Sequence, residues 1–465
     1  MLASAALTPR EKNHKRFSQR YPLGLTIPMR FISTQRFGRA FVVTLAFGAV
    51  FLTTAYAQNP EIARAQELTR SALKAYRQDD FAASLQFFME ARTLRPDHPT
   101  LIYNIAATSA LLGKTREAIA ELSVLSSMGL LYSPERDSDF VKLWRDPEFK
   151  SVLSSFNKNS EPHNRSSIAV QLSERGLISE GVAYDARTEK LYISSVRKRK
   201  IICVDRNGVQ RDFSRPEDGL WSVLGLKIDV QRRILWACSS KLPPMMGFRN
   251  DEGSRAGLFK YDLSTGNLLK KYILADTVNP HTFGDLALNA DGEPYVTDSG
   301  TSAIYRLHGP SNRLELFIES PSFVNLQGIA FSEDGQSLYV ADYSRGIFRI
   351  KLETREVFLF PPLHNATLLG IDGLYRKDSS FIAIQNGVAP NRVIRLRFDK
   401  RGDLLETWET LEANNAVFDE PTLGAVDGAT FYYVANSQWS KVDSEGNIPP
   451  DSTLAYHVIL KMVLH

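Results

Sequence analysis

Two hydrophobic periodicities divide the chain. From Pro60 to about Phe156, apolar and small residues recur at the three- and four-residue spacing of amphipathic helices. From Ser167 onward, short alternating runs rich in Tyr, Trp and Val are separated by polar turns, which predicts β-strands. We therefore predict a helical domain over 58–156, a linker over 157–166 and a β-domain over 167–465.

Six segments of the β-domain share one pattern: a small residue, a short apolar strand, a polar turn and a second strand. They read EGVAYDARTEKLYISS, LGLKIDVQRRILWACSS, GDLALNADGEPYVTDS, QGIAFSEDGQSLYVAD, DGLYRKDSSFIAIQN and LGAVDGATFYYVAN. Their second letters lie 44, 60, 43, 45 and 51 residues apart. Repeats of about 40–50 residues with four short strands each are typical of β-propeller blades. The predicted fold class is mainly β, a six-bladed β-propeller preceded by a small α-helical domain.

Two strands stand outside this pattern. Ser167–Ser173 (SIAVQLS) precedes the first unit, and AYHVILKMVL lies at the carboxyl end. Neither has a hairpin partner of its own. We predict that the two complete one blade and close the ring, which removes the open sheet edges.

The helical domain repeats at an offset of 34 residues. This offset places Ala72 on Ala106, Asp79 on Gly113, Ser84 on Ala118, Phe88 on Leu122 and Ala91 on Leu125. The pattern resembles the tetratricopeptide repeat, with two repeats present. The later piece DSDFVKLWRDPEFKSVLSSF is predicted to form a capping helix whose Phe140, Leu143 and Trp144 face the stack. A partner-binding groove and a purely structural appendage are both open as roles.

The first 57 residues have the pattern of an export signal. Arg36 and Arg39 precede the apolar run AFVVTLAFGAVFLTT, and the tripeptide AYA before Gln58 is a small-x-small cleavage site. The run is short for a membrane span. We predict a signal peptide over 1–57, with an uncleaved anchor as the alternative; a start at Met29 would give it ordinary length. The expected location is periplasmic or secreted, without a stable membrane span.

Charge and cysteine content narrow the function classes. The net charge is +4, but residues 1–57 hold eight Lys and Arg against one acid, so the remainder is near −3. There is no basic stripe with interleaved aromatic residues, and a nucleic-acid partner is not expected. Cys203 and Cys238 fall on apolar strand patterns, which favours buried free thiols over a disulfide. Without a CxxC pair, a structural zinc site is not expected.

The residue before each aligned second letter is called here the ring position: Glu180, Leu224, Gly284, Gln327, Asp372 and Leu423. Innermost strands line the channel of a propeller, so equivalent residues of six blades form a ring around the axis. Glu180, Gln327 and Asp372 carry the oxygen donors that Ca²⁺ or Mg²⁺ prefers. The sequence therefore predicts a divalent cation, Ca²⁺ in the first place, which would neutralise the buried carboxylates. A structural ring of polar residues is the alternative.

Three stretches, ISEGVAYD, NLQGIAFSEDGQSLYVADY and GIDGLY, carry a resemblance to a known group of six-bladed propellers. This group contains gluconolactonase, senescence marker protein and luciferin-regenerating enzyme, and the resemblance covers roughly residues 177–463. It implies that Glu180, Gln327 and Asp372 hold a divalent metal and that Asp372 serves as the catalytic base.

The sequence departs from that group at three positions. Gln327 stands where the group has asparagine, so its carbonyl reaches one methylene farther. Gly284 stands in place of a substrate-binding asparagine and Thr282 in place of a sugar-binding arginine, which argues against a sugar lactone as substrate. His281 and Asp285 are predicted to contact the substrate at the third blade; for His281, an ordinary loop histidine is the alternative.

Two functions follow from these residues. In the first, the protein is a metal-dependent hydrolase of a small-molecule lactone or ester. The cation polarises the carbonyl group and orients water, and Asp372 takes the proton. In the second, the propeller is a non-catalytic ligand- or partner-binding module, with the helical repeats recruiting a protein partner.

A further set of residues ends the second strand of each unit in one register. Because the set recurs around the predicted ring, we expect structural hydrogen bonds rather than catalysis from Ser195, Ser239, Asp298, Asp342, Gln385 and Asn436.

Overall fold

The computed structural model describes residues 59–250 and 253–465, so the predicted signal peptide lies outside the described residues. The amino-terminal part is helical, with α1 (Pro60–Arg77), α2 (Phe81–Leu94), α3 (Pro99–Leu111), α4 (Thr115–Ser127) and α5 (Pro147–Asn159). Side chains cap several of these helices at their first turn, where backbone N–H groups lack helical partners. Asn59 accepts from Ile62, and Asp80 accepts from Ala83. None of the described helices is long and apolar enough to cross a membrane.

Eight of the positions aligned by the 34-residue offset are buried within this helical part: Ala72, Ser84, Phe88, Ala91, Ala106, Ala118, Leu122 and Leu125. Asp79 and Gly113 are exposed, because they lie in the turns after α1 and α3. Small residues at the buried positions allow the backbones of α1–α2 and of α3–α4 to approach closely. The structure thus contains a small helical region of packed helix pairs; its assignment to the tetratricopeptide class stays a prediction.

The expectation for Trp144 is wrong. Phe140 and Leu143 are buried as expected, but the Trp144 side chain is 43% exposed. The segment is a 3₁₀ turn (Ser138–Leu143) followed by α5 rather than one helix. The break arises at Asp146, which caps the Pro147 start of α5 by accepting the N–H groups of the first turn. Trp144 falls in the break and therefore faces outward.

Twenty-four strands form six four-stranded antiparallel sheets in the described residues. Blade 1 contains β2 (Ser179–Asp185), β3 (Lys190–Ser195), β4 (Lys200–Val204) and β5 (Gln210–Asp212). Blade 2 contains β6 (Ser222–Asp229), β7 (Ile234–Ser240), β8 (Ala256–Asp262) and β9 (Leu268–Ile273). Blade 3 contains β10 (Phe283–Leu288), β11 (Pro294–Asp298), β12 (Ala303–His308) and β13 (Arg313–Glu319).

The other three sheets follow the same order. Blade 4 contains β14 (Leu326–Phe331), β15 (Ser337–Asp342), β16 (Gly346–Lys351) and β17 (Val357–Leu359). Blade 5 contains β18 (Ile371–Lys377), β19 (Ser380–Gln385), β20 (Arg392–Phe398) and β21 (Leu405–Ala413). Blade 6 contains β22 (Gly424–Asp427), β23 (Thr430–Val434), β24 (Tyr456–Val463) and β1 (Ser167–Arg175).

The first and last strands of the β-domain complete one blade and close the ring, as predicted. β1 pairs antiparallel with β24, with Ile168 opposite Leu460, so blade 6 combines both ends of the β-domain. Adjacent blades pack through their innermost strands. The fold is thus a closed six-bladed β-propeller, and the six-blade prediction is confirmed.

Because neighbouring strands are antiparallel, the start of each innermost strand and the end of the second strand lie on one side of the propeller. We call this side the mouth face. The residues that end the second strand of each blade form hydrogen bonds between the loops of this face. Asp342, for example, accepts the N–H groups of Val324 and Asn325, while Gln385 donates to the carbonyls of Thr367 and Leu369. The expected structural role of this set is confirmed at these positions.

The cysteine prediction is also confirmed. Cys203 and Cys238 are buried free thiols on β4 and β7. They behave as small apolar side chains between sheets.

Candidate functional site

The ring positions lie at the mouth face, at or next to the start of each innermost strand. In blades 1 to 5 the pairing between the first and second strands shifts register at this point, so the ring residue lies in a β-bulge. These residues are Glu180, Leu224, Gly284, Gln327 and Asp372. A bulge leaves one residue out of the ladder and re-aims its side chain. The chain therefore turns these residues away from the regular sheet faces.

Glycine beside the ring position lets the blades approach one another. A Cβ on Gly181 would lie 2.5 Å from the carbonyl oxygen of Leu224, and one on Gly328 would lie 2.6 Å from that of Asp372. Side chains at these two positions would therefore force the blades apart. The close approach brings the ring positions of adjacent blades together around the axis.

Glu180 is a buried carboxylate held by blade 6. Its Oε2 accepts a hydrogen bond of 2.5 Å from the indole Nε1 of Trp439. Its backbone oxygen accepts from Leu423 N and Thr422 Oγ1 at 3.1 and 2.8 Å. Burial raises the pKa of Glu180 well above its ordinary value, and the negative charge of Asp372 adds to this effect.

Asp372 is the second buried carboxylate. Its Oδ2 accepts a 2.7 Å hydrogen bond from Asn386 Nδ2, and the same amide nitrogen donates to Pro421 O at 2.9 Å. Burial raises the pKa of Asp372 to about 7; the Asn386 hydrogen bond opposes the rise and the charge of Asp285 adds to it. A pKa near neutrality suits a group that exchanges protons at physiological pH.

Gln327, the ring residue of blade 4, directs its side-chain amide toward blade 3. Its Nε2 donates to Asn325 Oδ1 at 2.8 Å. A Cβ built on Gly284 would lie 3.7 Å from Gln327 Oε1, so the amide oxygen faces the blade whose ring position lacks a side chain. The longer glutamine side chain extends into the space that Gly284 leaves.

The remaining wall is apolar. Leu224 is buried in a cluster with Leu242, Val442 and the partly buried Trp439. The loop after β23 that carries Trp439 therefore reaches past blade 1 to blade 2. Trp439 joins both parts of the site, because its ring contacts the apolar cluster and its N–H binds Glu180.

Glu420 is a site residue that sequence reasoning missed. It lies in the loop before β22, where its backbone oxygen accepts from Ser437. Burial raises the pKa of Glu420 to about 8, and the charge of Asp372 contributes next. The raised pKa of Glu180 also depends in part on Glu420, which places the three carboxyl groups in one electrostatic cluster. Glu420 stands three residues before Leu423. The other five units have no acidic residue at the corresponding place, so the repeated pattern did not identify Glu420.

Asp285 occupies the aligned position that is glycine in the other five blades. Its carboxylate faces blade 2, because a Cβ on Gly225 would lie 2.9 Å from Asp285 Oδ1. The group is buried, its Oδ2 has no hydrogen-bond partner among the described residues, and burial raises its pKa. Asp285 thus lies between blades 2 and 3, while Gly284 holds the ring position itself.

His281 lies in the loop before β10. Its Nδ1 is 2.6 Å from Asp298 Oδ2, and its Nε2 is 3.2 Å from Asp276 Oδ2. Although burial lowers the pKa of His281, these two carboxylates outweigh it and raise the pKa overall. The His281 side chain is 2% exposed. The structure therefore places His281 in a loop-holding contact on the rim; substrate contact by His281 and Asp285 stays a prediction.

The donor set agrees in chemistry with a hard cation. Glu180, Asp372 and Gln327 supply carboxylate and amide oxygens. Burial alone disfavours the ionised carboxylates, and a cation would reverse that effect. Within 59–250 and 253–465, no group of three or more His, Cys, Asp and Glu side chains forms a metal-binding cluster by itself.

Fold and site together define the class: a six-bladed β-propeller with a cluster of buried carboxyl groups at its mouth. By sequence, no known protein family and no curated protein matches the chain.

Among solved structures, the chain is similar to several propellers. One is a PQQ-bound aldose sugar dehydrogenase from Streptomyces coelicolor, at 14% identity over 64% of this chain and 98% of that chain, with a TM-score of 0.45. Another is the calcium-binding protein regucalcin from Agrobacterium tumefaciens, at 15% identity over 64% and 96%, with a TM-score of 0.45. A third is a gluconolactonase from Xanthomonas campestris, at 16% identity over 65% and 95%, with a TM-score of 0.42. The six-bladed fold itself rests on the sheet order of this chain.

Proposed function

We propose that the protein is a divalent-cation-dependent hydrolase of small lactones or esters. The observation that carries the proposal is the proximity of two buried carboxyl groups at the mouth face of the closed propeller, since the charge of Asp372 raises the pKa of Glu180. Gln327 holds the equivalent ring position of a third blade. Both carboxylates are buried, and in the described part of the chain their side-chain hydrogen bonds come from the neutral groups of Trp439 and Asn386. Buried carboxylates without a cationic partner are a recognised mark of functional sites.

Glu180, Gln327 and Asp372 are the residues that would hold the cation, with Ca²⁺ as the leading candidate. A bound cation supplies Lewis-acid polarisation of the carbonyl group. Asp372 acts as the general base that accepts the proton of the attacking water. Asn386 orients the Asp372 carboxylate, and Trp439 holds Glu180.

The walls favour a substrate with an apolar body over a sugar. Leu224 and Leu423 are apolar ring positions, and Gly284 offers no side chain to bind a hydroxyl group. The aromatic ring of Trp439 extends the apolar surface on the side of Leu224. A lactone or ester with an aliphatic or aromatic substituent suits such a site, since polar walls would be needed to pair many hydroxyl groups.

The site of action is proposed to be the periplasm or the exterior of the cell, on the basis of the signal-like residues 1–57. The alternative function is a non-catalytic binding propeller with a tetratricopeptide-like module for a protein partner. One observation favours it: the helical segment contacts loops of the mouth face, where Arg95 donates to Ser344 O and Leu131 N donates to Ala389 O.

The first test is cation binding. Adding Ca²⁺ to chelator-treated protein should raise the melting temperature, because a ligand that binds only the native state stabilises it. Asp372→Asn should abolish most of this increase, whereas Asp334→Asn, in an exposed turn, should keep it. Equal melting temperatures of the parent with Ca²⁺ and with chelator would remove the cation from the proposal.

The second test is turnover. The parent should hydrolyse lactones or aryl esters in Ca²⁺, and Asp372→Asn should lower the rate by about 100-fold or more, in the range expected for a lost general base. Stable Ca²⁺ binding without turnover of either substrate class would support the binding-propeller alternative instead.

A further inference from the structure

Three loops of the mouth face connect the surroundings of Asp372 with the helical segment. They are the β15–β16 loop (343–345), the β17–β18 loop (360–370) and the β19–β20 loop (386–391). We call them the coupling loops. Each contacts the surroundings of Asp372 at one end and the helical segment (60–159) at the other.

The β19–β20 loop makes the most direct connection. It begins at Asn386, which donates to Asp372, and two residues later Val388 is buried in the hydrophobic core of the helical segment. The carbonyl of Ala389 accepts a 2.8 Å hydrogen bond from Leu131 N. One short loop thus binds the ring carboxylate and the helical core together.

Arg392 fixes the end of this loop. Its guanidinium is fully buried and donates to Met128 O at 2.7 Å and Gly129 O at 3.3 Å, just past the end of α4. Carbonyl groups at a helix carboxyl terminus attract a cation. Its Nε donates to Gln385 Oε1 at 2.7 Å, and its guanidinium lies 4.9 Å from the ring centre of Trp408. The helical segment is therefore anchored at the base of the loop that carries Asn386.

The β15–β16 loop makes a second connection. Tyr343 donates from its hydroxyl group to Asn386 Oδ1 at 3.0 Å. The next carbonyl, of Ser344, accepts from Arg95 at 2.7 Å, and Arg345 donates to Glu61 at 2.9 Å. Asn386 is thus held by its own β19–β20 loop and by Tyr343 of the β15–β16 loop. Both loops are hydrogen-bonded to the helical segment.

The loop into β18 makes the third connection. Asp97 of the helical segment accepts from Thr367 Oγ1 at 3.1 Å and Leu368 N at 3.3 Å. Gly370, two residues before Asp372, donates to Tyr343 O at 2.8 Å and accepts from Gly387 N at 3.0 Å. A Cβ on Gly387 would lie 2.5 Å from the Cα of Gly370, so the backbones touch. The three coupling loops form one hydrogen-bonded unit.

We propose that the helical segment is a positioning element of the ring site: it holds the coupling loops so that Asn386, the positioning residue, keeps the Asp372 carboxylate in its orientation. The inference deepens the proposed function by naming a regulatory contact of the same site, and only its cation readout rests on that function. Groups that orient a metal-binding side chain typically change metal affinity by about 10–100-fold when they are lost. A partner that engages the helices would act on Asp372 by this route.

The test uses the full chain and two pairs of variants. Arg95→Ala removes a contact between the helices and the propeller, and Arg92→Ala is its control, because Arg92 pairs with Glu121 inside the helical segment. Tyr343→Phe removes one hydroxyl group beside Asn386. Its control is Tyr339→Phe, whose hydroxyl group binds Gly402 O in the β20–β21 loop, on the side opposite the mouth face.

Two quantities are measured: backbone hydrogen exchange of residues 367–374 and 385–391, and Ca²⁺ affinity by titration calorimetry. We expect Arg95→Ala to speed exchange in both segments and to weaken Ca²⁺ binding by about 10-fold, and Tyr343→Phe to weaken it by about 3- to 10-fold. Both controls should match the parent.

The inference is overturned if Arg95→Ala and Tyr343→Phe leave exchange in both segments at the parental rate, or if the controls change it equally. A parent that binds no Ca²⁺ would end the proposed cation site, while hydrogen exchange would still decide whether the helices position the Asp372 loop.

Discussion

At the residue scale, the central feature is a pair of buried carboxyl groups, Glu180 and Asp372, with the partly exposed Glu420 beside them. Glu180, Asp372 and Glu420 come from three separate stretches of chain, and burial raises the pKa of each. Such groups favour the protonated form until a cation or a proton acceptor is present. The cost of ionising them shows itself as a dependence of stability on pH.

Glu420 allows this dependence to be measured. Its pKa rises from 4.5 to about 8 in the folded protein. Between these values the unfolded chain has lost the proton that the folded protein keeps, so the free energy of unfolding falls as the pH rises. We expect Glu420→Gln to remove about 1–3 kcal/mol of the fall between pH 5 and pH 8, at about 1.4 kcal/mol per pKa unit and reduced by partial solvent contact.

Urea unfolding at the two pH values, in chelator, checks this expectation. Glu333→Gln, in an exposed turn, is the control and should follow the parent. An identical pH dependence in the parent and in Glu420→Gln would show that Glu420 ionises normally.

At the scale of elements, the blades are joined by specific contacts as well as by apolar packing. Asp185 at the end of β2 is fully buried and receives two hydrogen bonds, of 2.7 and 2.6 Å, from Arg233 in the β6–β7 turn. This bidentate pair connects blade 1 to blade 2. The neighbouring Arg232 pairs with Asp229 of its own blade and is about half exposed.

These adjacent arginines give a matched comparison. Arg233→Ala leaves a buried carboxylate without its partner, which typically costs about 3–5 kcal/mol. Arg232→Ala should cost less, about 1 kcal/mol, because the Arg232 side chain is half exposed and the buried Asp229 still accepts the backbone N–H of residue 232. Chemical denaturation of the parent and both variants measures the difference, and equal losses would contradict the proposed role of the inter-blade pair.

At the scale of the whole molecule, stability depends on closure between distant parts of the chain. β24 lies between β23 and β1, so it supplies hydrogen bonds to both. The helical segment adds a second long-range connection, through Val388 in its core and Arg392 at the end of α4. Ring closure and helical docking both join residues separated by hundreds of positions.

A truncation after Ala455 tests the closure. Removing β24 leaves β1 and β23 with unpaired edges, which favour association with other chains. We expect the truncated protein to aggregate or to lose its cooperative melting transition, as seen by size-exclusion chromatography and thermal unfolding. Removal of His465 alone should leave both unchanged. A monomeric truncated protein that melts like the parent would show that β24 is dispensable for closure.

The sequence by itself determined the architecture. Strand periodicity, the spacing of the six units and the two isolated strands specified six blades and their closure, because these patterns are local and repeated. It also indicated the ring position, since equivalent residues of repeated blades must lie at equivalent depth. It misplaced Trp144, because the cap at Asp146 divides one expected helix into two elements.

Only the tertiary structure decided what surrounds the ring. Glu420, Asn386 and Trp439 approach Glu180 and Asp372 from loops whose residues are not repeated from blade to blade. The repeated sequence pattern therefore did not identify them. The docking of the helices on the mouth face likewise depends on contacts such as Arg95 with Ser344, between residues far apart in sequence. Repetition encodes the scaffold locally, whereas burial and long-range hydrogen bonds, which set the chemistry of the site, exist only once the chain has folded.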